Sequence, residues 1–341
     1  MSLPVNLSTI IDGSRLQSVR LKGALILDVD DTLLAREGAS SGTQETFDES
    51  AAAALLPEFL RRGFNLCLIT GHGWQQLESR LVGPLVAPLR ESGNDAAIAG
   101  LRIYANRGAT KIIWHNTVHK VDEVYGTRHE LRAADVPTLR TLLQSLAVEF
   151  EADVTERGDV YRETFPRFNF ATLPARVDER EGAVLVLRPI PASTHAANAD
   201  YAEDPRARLY ERGVDLLRQT NLSDDYALAL AGRSSIEITR RSVSKELAMR
   251  DLIVGLSKSS DESADSVEES LIYIGDEFFR GGNDFEIPLC FPRALCLSVA
   301  EEILGREIPA GVVQLARATG AQGTAAAEAV LTHLLNLSAR A

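Results

Sequence analysis

The chain has 341 residues, 45% hydrophobic and 25% charged, which places it among ordinary globular proteins with room for two domains. A formal net charge of -12 repels nucleic acid and anionic membrane surfaces, and no apolar run approaches the roughly 18 residues needed to span a bilayer. Cys67, Cys290 and Cys296 lie in apolar surroundings with no CxxC spacing and no neighbouring histidine, which argues against a disulfide framework or a zinc site.

The N-terminal stretch MSLPVNLSTIIDGSR lacks the charged and apolar regions of a secretory signal, so a cytoplasmic location is expected. Residues 22–29 (KGALILDV) read as a strand ending in carboxylates, followed by an acidic, Ser- and Gly-containing loop. A helix is predicted over 48–62, with Asp48 capping its start and Gly63 closing it. The apolar run FNLCLIT (64–70) predicts a strand covered on both faces, and GHG leads into a helical pattern, WQQLESRLVGPLV. This alternation predicts an α/β fold with a Rossmann-like parallel sheet and right-handed crossovers.

From about residue 116 the texture changes. A helix over 133–149 is followed by strand-like segments at 150–155, 167–173 and 183–188, then by an exposed loop at 189–205. A helix over 204–220 precedes strands at 226–232 and 234–240. Residues 116–240 are therefore predicted as an α+β module inserted into a core made of 1–115 and 241–341, with hinges near 115–118 and 240–243. The α/β pattern resumes with a helix at 244–256, a solvated Ser- and acid-rich loop at 257–269, strands at 271–275 and 293–300, and a terminal helix at about 324–339.

Four clusters carry chemistry. Asp28-Val29-Asp30-Asp31-Thr32 stands at the C-terminal end of the first strand, where ligands gather in open parallel sheets. Alternation puts Asp28 and Asp30 on one side, and crowded carboxylates need a cation, a proton or hydrogen bonds. Thr70-Gly71-His72-Gly73 offers a hydroxyl and backbone N–H groups at a helix start, a natural phosphate cradle. Lys245 opposes the dipole of its helix, and a phosphate or a group of aspartates would account for it. Gly275-Asp276-Glu277 and Gly281-Gly282-Asn283-Asp284 again place carboxylates after a buried strand. Taken singly, each cluster also reads as an ordinary cap, surface lysine or acidic turn. Two acidic turns at neighbouring strand ends together call for a divalent cation, and hard oxygen donors favour Mg²⁺ over zinc.

In order and placement, DVDDT, the Thr of LITGHG, the Lys of SVSKELA and GDEFFRGGND resemble the four motifs of the haloacid dehalogenase superfamily of phosphotransferases. The position of the insertion and its repeated helix-strand-strand reading are similar to the superfamily's C2-type cap, subtype C2B. The resemblance implies Asp28 as nucleophile and Asp30 as general acid and base. It implies Thr70, Gly71, Lys245 and Asn283 around the phosphate, and Mg²⁺ held by Asp28, the backbone carbonyl of Asp30, Asp276 and Asp284. GDEFFRGGNDFEI is similar to the fourth motif of eukaryotic phosphomannomutases, and YRETFPRFNFATL (161–173) to their sugar-binding segment, which makes Arg162 and Arg167 cap candidates for an anionic group or sugar hydroxyls. Trp114 and His115 stand near the core-to-cap boundary, whereas His119, His129, His195 and His333 form no ligand spacing. His72 departs from the arginine often found after Thr-Gly in C2B phosphatases.

The expected activity is Mg²⁺-dependent hydrolysis of a small phosphorylated metabolite, a sugar phosphate above all, without nucleic acid or membrane. A phosphohexomutase and a non-catalytic binding protein on the same fold are the alternatives, and the sequence leaves the oligomeric state open.

Overall fold

The structure, a computed structural model, describes residues 7–35, 45–115, 118–164, 176–188, 206–231, 235–280, 282–300 and 307–339. The chain divides into two compact units, Met1–Asp122 with Ser244–Ala341, and Glu123–Val243. Among the described residues no helix is long and apolar enough to cross a membrane.

The first unit is built on β1 (Ala24–Leu27), β2 (Leu66–Ile69), β3 (Leu101–Ala105), β4 (Thr110–His115) and β5 (Val118–Val121). Three strands from the far end of the chain complete it; between β5 and those three the chain forms β6 (Arg176–Arg180), β7 (Val184–Arg188), β8 (Tyr226–Ala231) and β9 (Ser235–Arg240) of the second unit. In the first sheet, β10 (Leu271–Gly275), β11 (Leu295–Ser298) and β12 (Val313–Gln314) lie on the other side of β1, giving the order β12-β11-β10-β1-β2-β3-β4-β5. Pairing is parallel from β12 through to β3, and antiparallel for β4 and β5. The fold is therefore the expected α/β architecture with a Rossmann-like sheet, extended by an antiparallel edge over residues 110–121 that the sequence reading did not anticipate. β5 pairs with β4, so this unit reaches Asp122.

The central strands are short, apolar and buried on both faces. Leu25, Leu27, Leu66, Leu68, Ile272 and Ile274 enter one continuous core with the helices Gly13–Lys22 and Gly323–Ser338. Each large side chain so buried contributes about 1.5–3 kcal/mol. Alternation then sends Ile26 and Asp28 to the opposite face. Gly23 joins the helix Gly13–Lys22 to β1, and a Cβ there would stand 1.7 Å from the backbone oxygen of Ser270.

Local chemistry departs from the sequence expectation in three places. Residues 48–62 are not one helix but two 3₁₀ turns, Phe47–Glu49 and Ala53–Leu55, followed by the helix Leu56–Arg61. The start is capped by Thr46 with Glu49 rather than by Asp48, and the Ser50 hydroxyl interrupts the segment by accepting from Ala53 N at 3.1 Å. Residues 257–269 are helical instead of a loop: Lys245–Ser260 runs on, Asp261 turns it in a left-handed conformation, and Ser263 caps Ala264–Glu269. Of the residues read as a loop, Asp261 and Ser263 are helix caps, Ser257, Ser259 and Ser260 lie within the helix Lys245–Ser260, and Val267 is buried. Residues 150–155 continue the helix Val136–Thr164 rather than forming a strand, because Phe150 and Val154 extend the apolar face of Leu139, Leu143 and Leu146 at helical spacing.

The second unit is an antiparallel sheet of order β6-β7-β9-β8, with β6 Arg176–Arg180, β7 Val184–Arg188, β8 Tyr226–Ala231 and β9 Ser235–Arg240. The helices Val136–Thr164 and Arg206–Arg218 pack on it around Leu185, Leu187, Ile236 and Ile238. Arg206 is buried and donates through Nη1 to Ser235 O at 3.0 Å and Ala231 O at 3.2 Å, tying β8 to β9. The predicted strand at 167–173, the loop at 189–205 and residues 116–117 of a predicted hinge lie outside the described residues.

Gly23→Ala should lower stability by about 3 kcal/mol in urea unfolding, because backbone on both sides must move. Gly13→Ala, with nothing within 4 Å of its new Cβ, should raise stability by about 0.5 kcal/mol or leave it unchanged. Equal effects of the two would contradict the packing of β1 described above.

Candidate active site

The register of the parallel strands brings three sequence motifs to one end of the sheet. Leu27 stands level with Ile274 of β10 and Leu68 of β2, so Asp28, Thr70 and Asp276 all emerge just past the strand ends. The chain runs outward from β1 to β2 and β3 on one side and from β10 to β11 and β12 on the other, the switch point where α/β sheets bind ligands. Beyond Asp30 the backbone doubles back: Asp31 is left-handed at φ 54°, and Leu33 N and Leu34 N donate to Val29 O at 2.8 and 2.9 Å. Aspartate tolerates that conformation better than a branched residue would.

Lys245 enters from the first turn of its helix, which Ser244 caps by accepting from Leu247 N at 3.1 Å. The helix is fixed to the sheet through Asp251, which accepts from Tyr104 Oη at 2.6 Å and Lys111 Nζ at 2.7 Å. Lys245 Nζ then lies 3.0 Å from Asp28 Oδ1 and 2.7 Å from Asp284 Oδ1. Tyr273 Oη donates to the same Asp284 oxygen at 2.6 Å, and Glu277 N donates to Asp284 Oδ2 at 3.1 Å. This approach is possible because residue 275 is glycine: a Cβ there would stand 2.5 Å from Asp284 Oδ2. All these charged groups are buried.

Carboxylate oxygens of Asp28, Asp276 and Asp284 lie within 4.8 Å of one another. Among the described residues these three carboxylates gather around a single buried ammonium. Burial pushes the Asp28 carboxyl up to about 7; Lys245 opposes the rise while Asp284 and Asp30 add to it. Burial pulls Lys245 down, but Asp28 and Asp284 outweigh that and hold it above its ordinary value. Hard oxygen donors, their convergence and their burial fit Mg²⁺, which Asp28, Asp276 and Asp284 would hold.

Asp30 belongs to a neighbouring group. Its Oδ2 lies 2.7 Å from His72 Nε2, and its Oδ1 lies 4.0 Å from Arg80 Nη1. Thr70 is buried; its Oγ1 accepts from His72 N at 3.1 Å, and its carbonyl accepts from Arg107 N at 2.8 Å. Gly71 lies beside the Arg107 side chain. Asn283 N donates to Glu277 Oε2 at 3.3 Å, and the buried Asn283 Oδ1 accepts no hydrogen bond among the described residues.

Trp114 and His119 form an edge-to-face pair in the first unit, and His119 also faces Glu78 at 3.2 Å. Arg162 falls in the helix Val136–Thr164 with its side chain outside the described residues; Arg167, His195 and Gly281 lie outside them altogether.

The sequence motifs leave out Tyr273 and Arg80, and they include Glu277 without a role of its own. A tyrosine within the otherwise apolar LIYIG was a usable signal, since a buried phenol needs a partner. Arg80 gave none, because its place depends on a π-helical stretch, Glu78–Val82, inside the helical run from Trp74 to Glu91.

No protein-family model matches the sequence, and the curated proteins give no match. Among solved structures, an N-terminally truncated, IMP-bound IMP-nucleotidase of Plasmodium falciparum superposes with a TM-score of 0.54 at 13% identity, covering 95% of this chain and 71% of that one. A second truncated structure of the Plasmodium falciparum enzyme gives 0.51 at 14% identity, covering 94% and 73%. The trehalose-6-phosphate phosphatase of Aspergillus fumigatus gives 0.47 at 14% identity, covering 96% and 98%, too low a score to carry an argument. At these identities the likeness to the nucleotidase shows the fold alone: a Rossmann-like α/β core with an additional α+β unit.

In the folded chain Asp28 keeps a proton between about pH 4 and pH 7, where an unfolded carboxyl with a value of 3.8 is ionised. Its contribution to the stability of the metal-free protein is fully present below about pH 4 and is lost as pH rises through about 7. Mg²⁺ must displace that proton. Calorimetric titration with MgCl₂ should show proton release at about pH 6 and roughly tenfold tighter binding at about pH 8. Equal affinity at both values without proton release would contradict a protonated, buried Asp28.

Proposed function

We propose that the protein is a Mg²⁺-dependent phosphatase that hydrolyses a small phosphate monoester, with sugar phosphates as the substrate class, through an aspartyl phosphate on Asp28. The observation that carries this reading is the buried convergence of Asp28, Asp276, Asp284 and Lys245 at the switch point of the sheet, with Asp30 two residues beyond Asp28. The shared fold with a nucleotidase supports phosphate-ester chemistry, and the motif resemblance supports the assignment of roles.

In this reading an Asp28 carboxylate oxygen attacks phosphorus in line with the ester oxygen. Asp30 protonates the departing oxygen, then takes a proton from the water that cleaves the acyl phosphate, releasing inorganic phosphate and restoring Asp28. Lys245, held between Asp28 and Asp284, offsets charge on the phosphoryl oxygens. Thr70 Oγ1 already accepts from His72 N, so its hydroxyl proton remains to bond a phosphoryl oxygen. Mg²⁺ would supply the charge neutralisation that lets an anionic nucleophile meet an anionic phosphate. Residues 123–243 act as the specificity unit, with Arg162 and Arg167 as its candidates for gripping an anionic group or sugar hydroxyls.

The test is phosphate release from sugar phosphates, phosphoglycerate-type esters and nucleoside monophosphates, with Mg²⁺ and with EDTA. Release from one class should depend on Mg²⁺ and fall at least about 10³-fold in Asp28→Asn. Isomer exchange of a hexose phosphate without net release would favour the mutase. No turnover of either kind, with no beryllofluoride bound at Asp28, would leave a binding protein.

A further inference from the structure

His72, inside the Thr-Gly turn, and Arg80, outside every motif, are given no role by the motifs, yet they form an ordered chain that ends on Asp30. Arg80 Nη1 lies 3.2 Å from His72 Nδ1, and His72 Nε2 lies 2.7 Å from Asp30 Oδ2. A guanidinium only donates, so Nδ1 facing Arg80 acts as acceptor. The ring proton then sits on Nε2 and points at the carboxylate. Arg80 is itself oriented, since Nη2 donates to Glu45 O at 2.9 Å. His72 is fixed by its backbone, with its N–H on Thr70 Oγ1 and its carbonyl accepting from Asn106 N at 2.7 Å. All three side chains are largely shielded, at 12–14% exposure.

From this geometry we infer that His72 and Arg80 are positioning residues for proton transfer: they hold Asp30 by Oδ2 and leave Oδ1 to exchange the proton with the leaving group and with water. Asp30 Oδ1 supports this division, being buried with no hydrogen-bond partner among the described residues. The π-helical stretch Glu78–Val82 carries Arg80, and such insertions recur at functional sites. The inference rests on Asp30 being the proton-transfer group.

A positioning role makes a prediction that a purely structural role does not. Proton donation matters when the leaving oxygen is a poor leaving group and matters little for a nitrophenolate. First-turnover release of the leaving group should therefore be compared for an alkyl phosphate and for 4-nitrophenyl phosphate, in the full-length Mg²⁺-loaded protein. His72→Phe should slow alkyl ester cleavage by about 30–100-fold and nitrophenolate release by less than about 3-fold. His72→Gln, which keeps an N–H donor on a similar reach, should recover about tenfold of the loss, and Arg80→Met should show the same leaving-group dependence more weakly.

Equal losses on both esters, or no loss on either, would overturn the inference. Thermal unfolding of each variant separates misfolding from misalignment; should His72→Phe not fold, Arg80→Met and His72→Gln decide by the same ratio. Asp30→Asn serves as the reference. If it shows the leaving-group dependence and His72→Phe does not, the positioning role fails while the phosphatase reading stands. If Asp30→Asn shows none, or the protein cleaves neither ester, that reading fails and this inference with it.

Discussion

Crowding of carboxylates at the ends of parallel strands is the constraint on which the site depends. The register of β1 against β10 makes the approach of Asp28 to Asp276 and Asp284 unavoidable once the sheet forms. The fold answers with a buried lysine, a phenol and a backbone N–H, each aimed at a defined oxygen. The carboxylate oxygens that still converge there are what a hard divalent cation would use. The site is thus a costly place for the protein to bury charge and a suitable one for a cation.

Two aspartates two residues apart are given unlike surroundings. Asp28 is sealed against an ammonium and shares its field with other carboxylates. Asp30 faces an imidazole and, at longer range, a guanidinium, with one oxygen engaged and the other left over. Separating environments in this way is how neighbouring carboxyl groups come to play different parts in one reaction.

Much of this was legible in the residues. Short apolar runs closed by acidic or Thr-Gly turns gave β1, β2 and β10 and the residues that follow them, because burial on both faces leaves little alternative to a parallel strand. The helix Lys245–Ser260 was equally plain at its start, and its end was not: Ser and Asp serve caps and loops alike, and only the buried Val267 decides between them. The strand expected at 150–155 failed because a two-residue alternation over so short a window also fits a helix whose apolar face began at Leu139. Least legible were the partners that geometry supplies from a distance. Tyr273 reaches Asp284 across a turn, and Arg80 reaches His72 only because one stretch of helix is wound more loosely than the rest.

The pairing of β1 has a consequence for the order in which the molecule is made. Its first neighbour, β2, follows closely, whereas its second, β10, is synthesised only after the whole of Glu123–Val243 has been translated. Ala24 must therefore wait for Leu271 with one edge of the central strand open. The unit Glu123–Val243, whose strands and helices are contiguous in the chain, can collapse during that interval. An unpaired apolar strand is the part of a nascent chain most prone to pair wrongly, so the strand that carries Asp28 is also a point of exposure to aggregation on the ribosome.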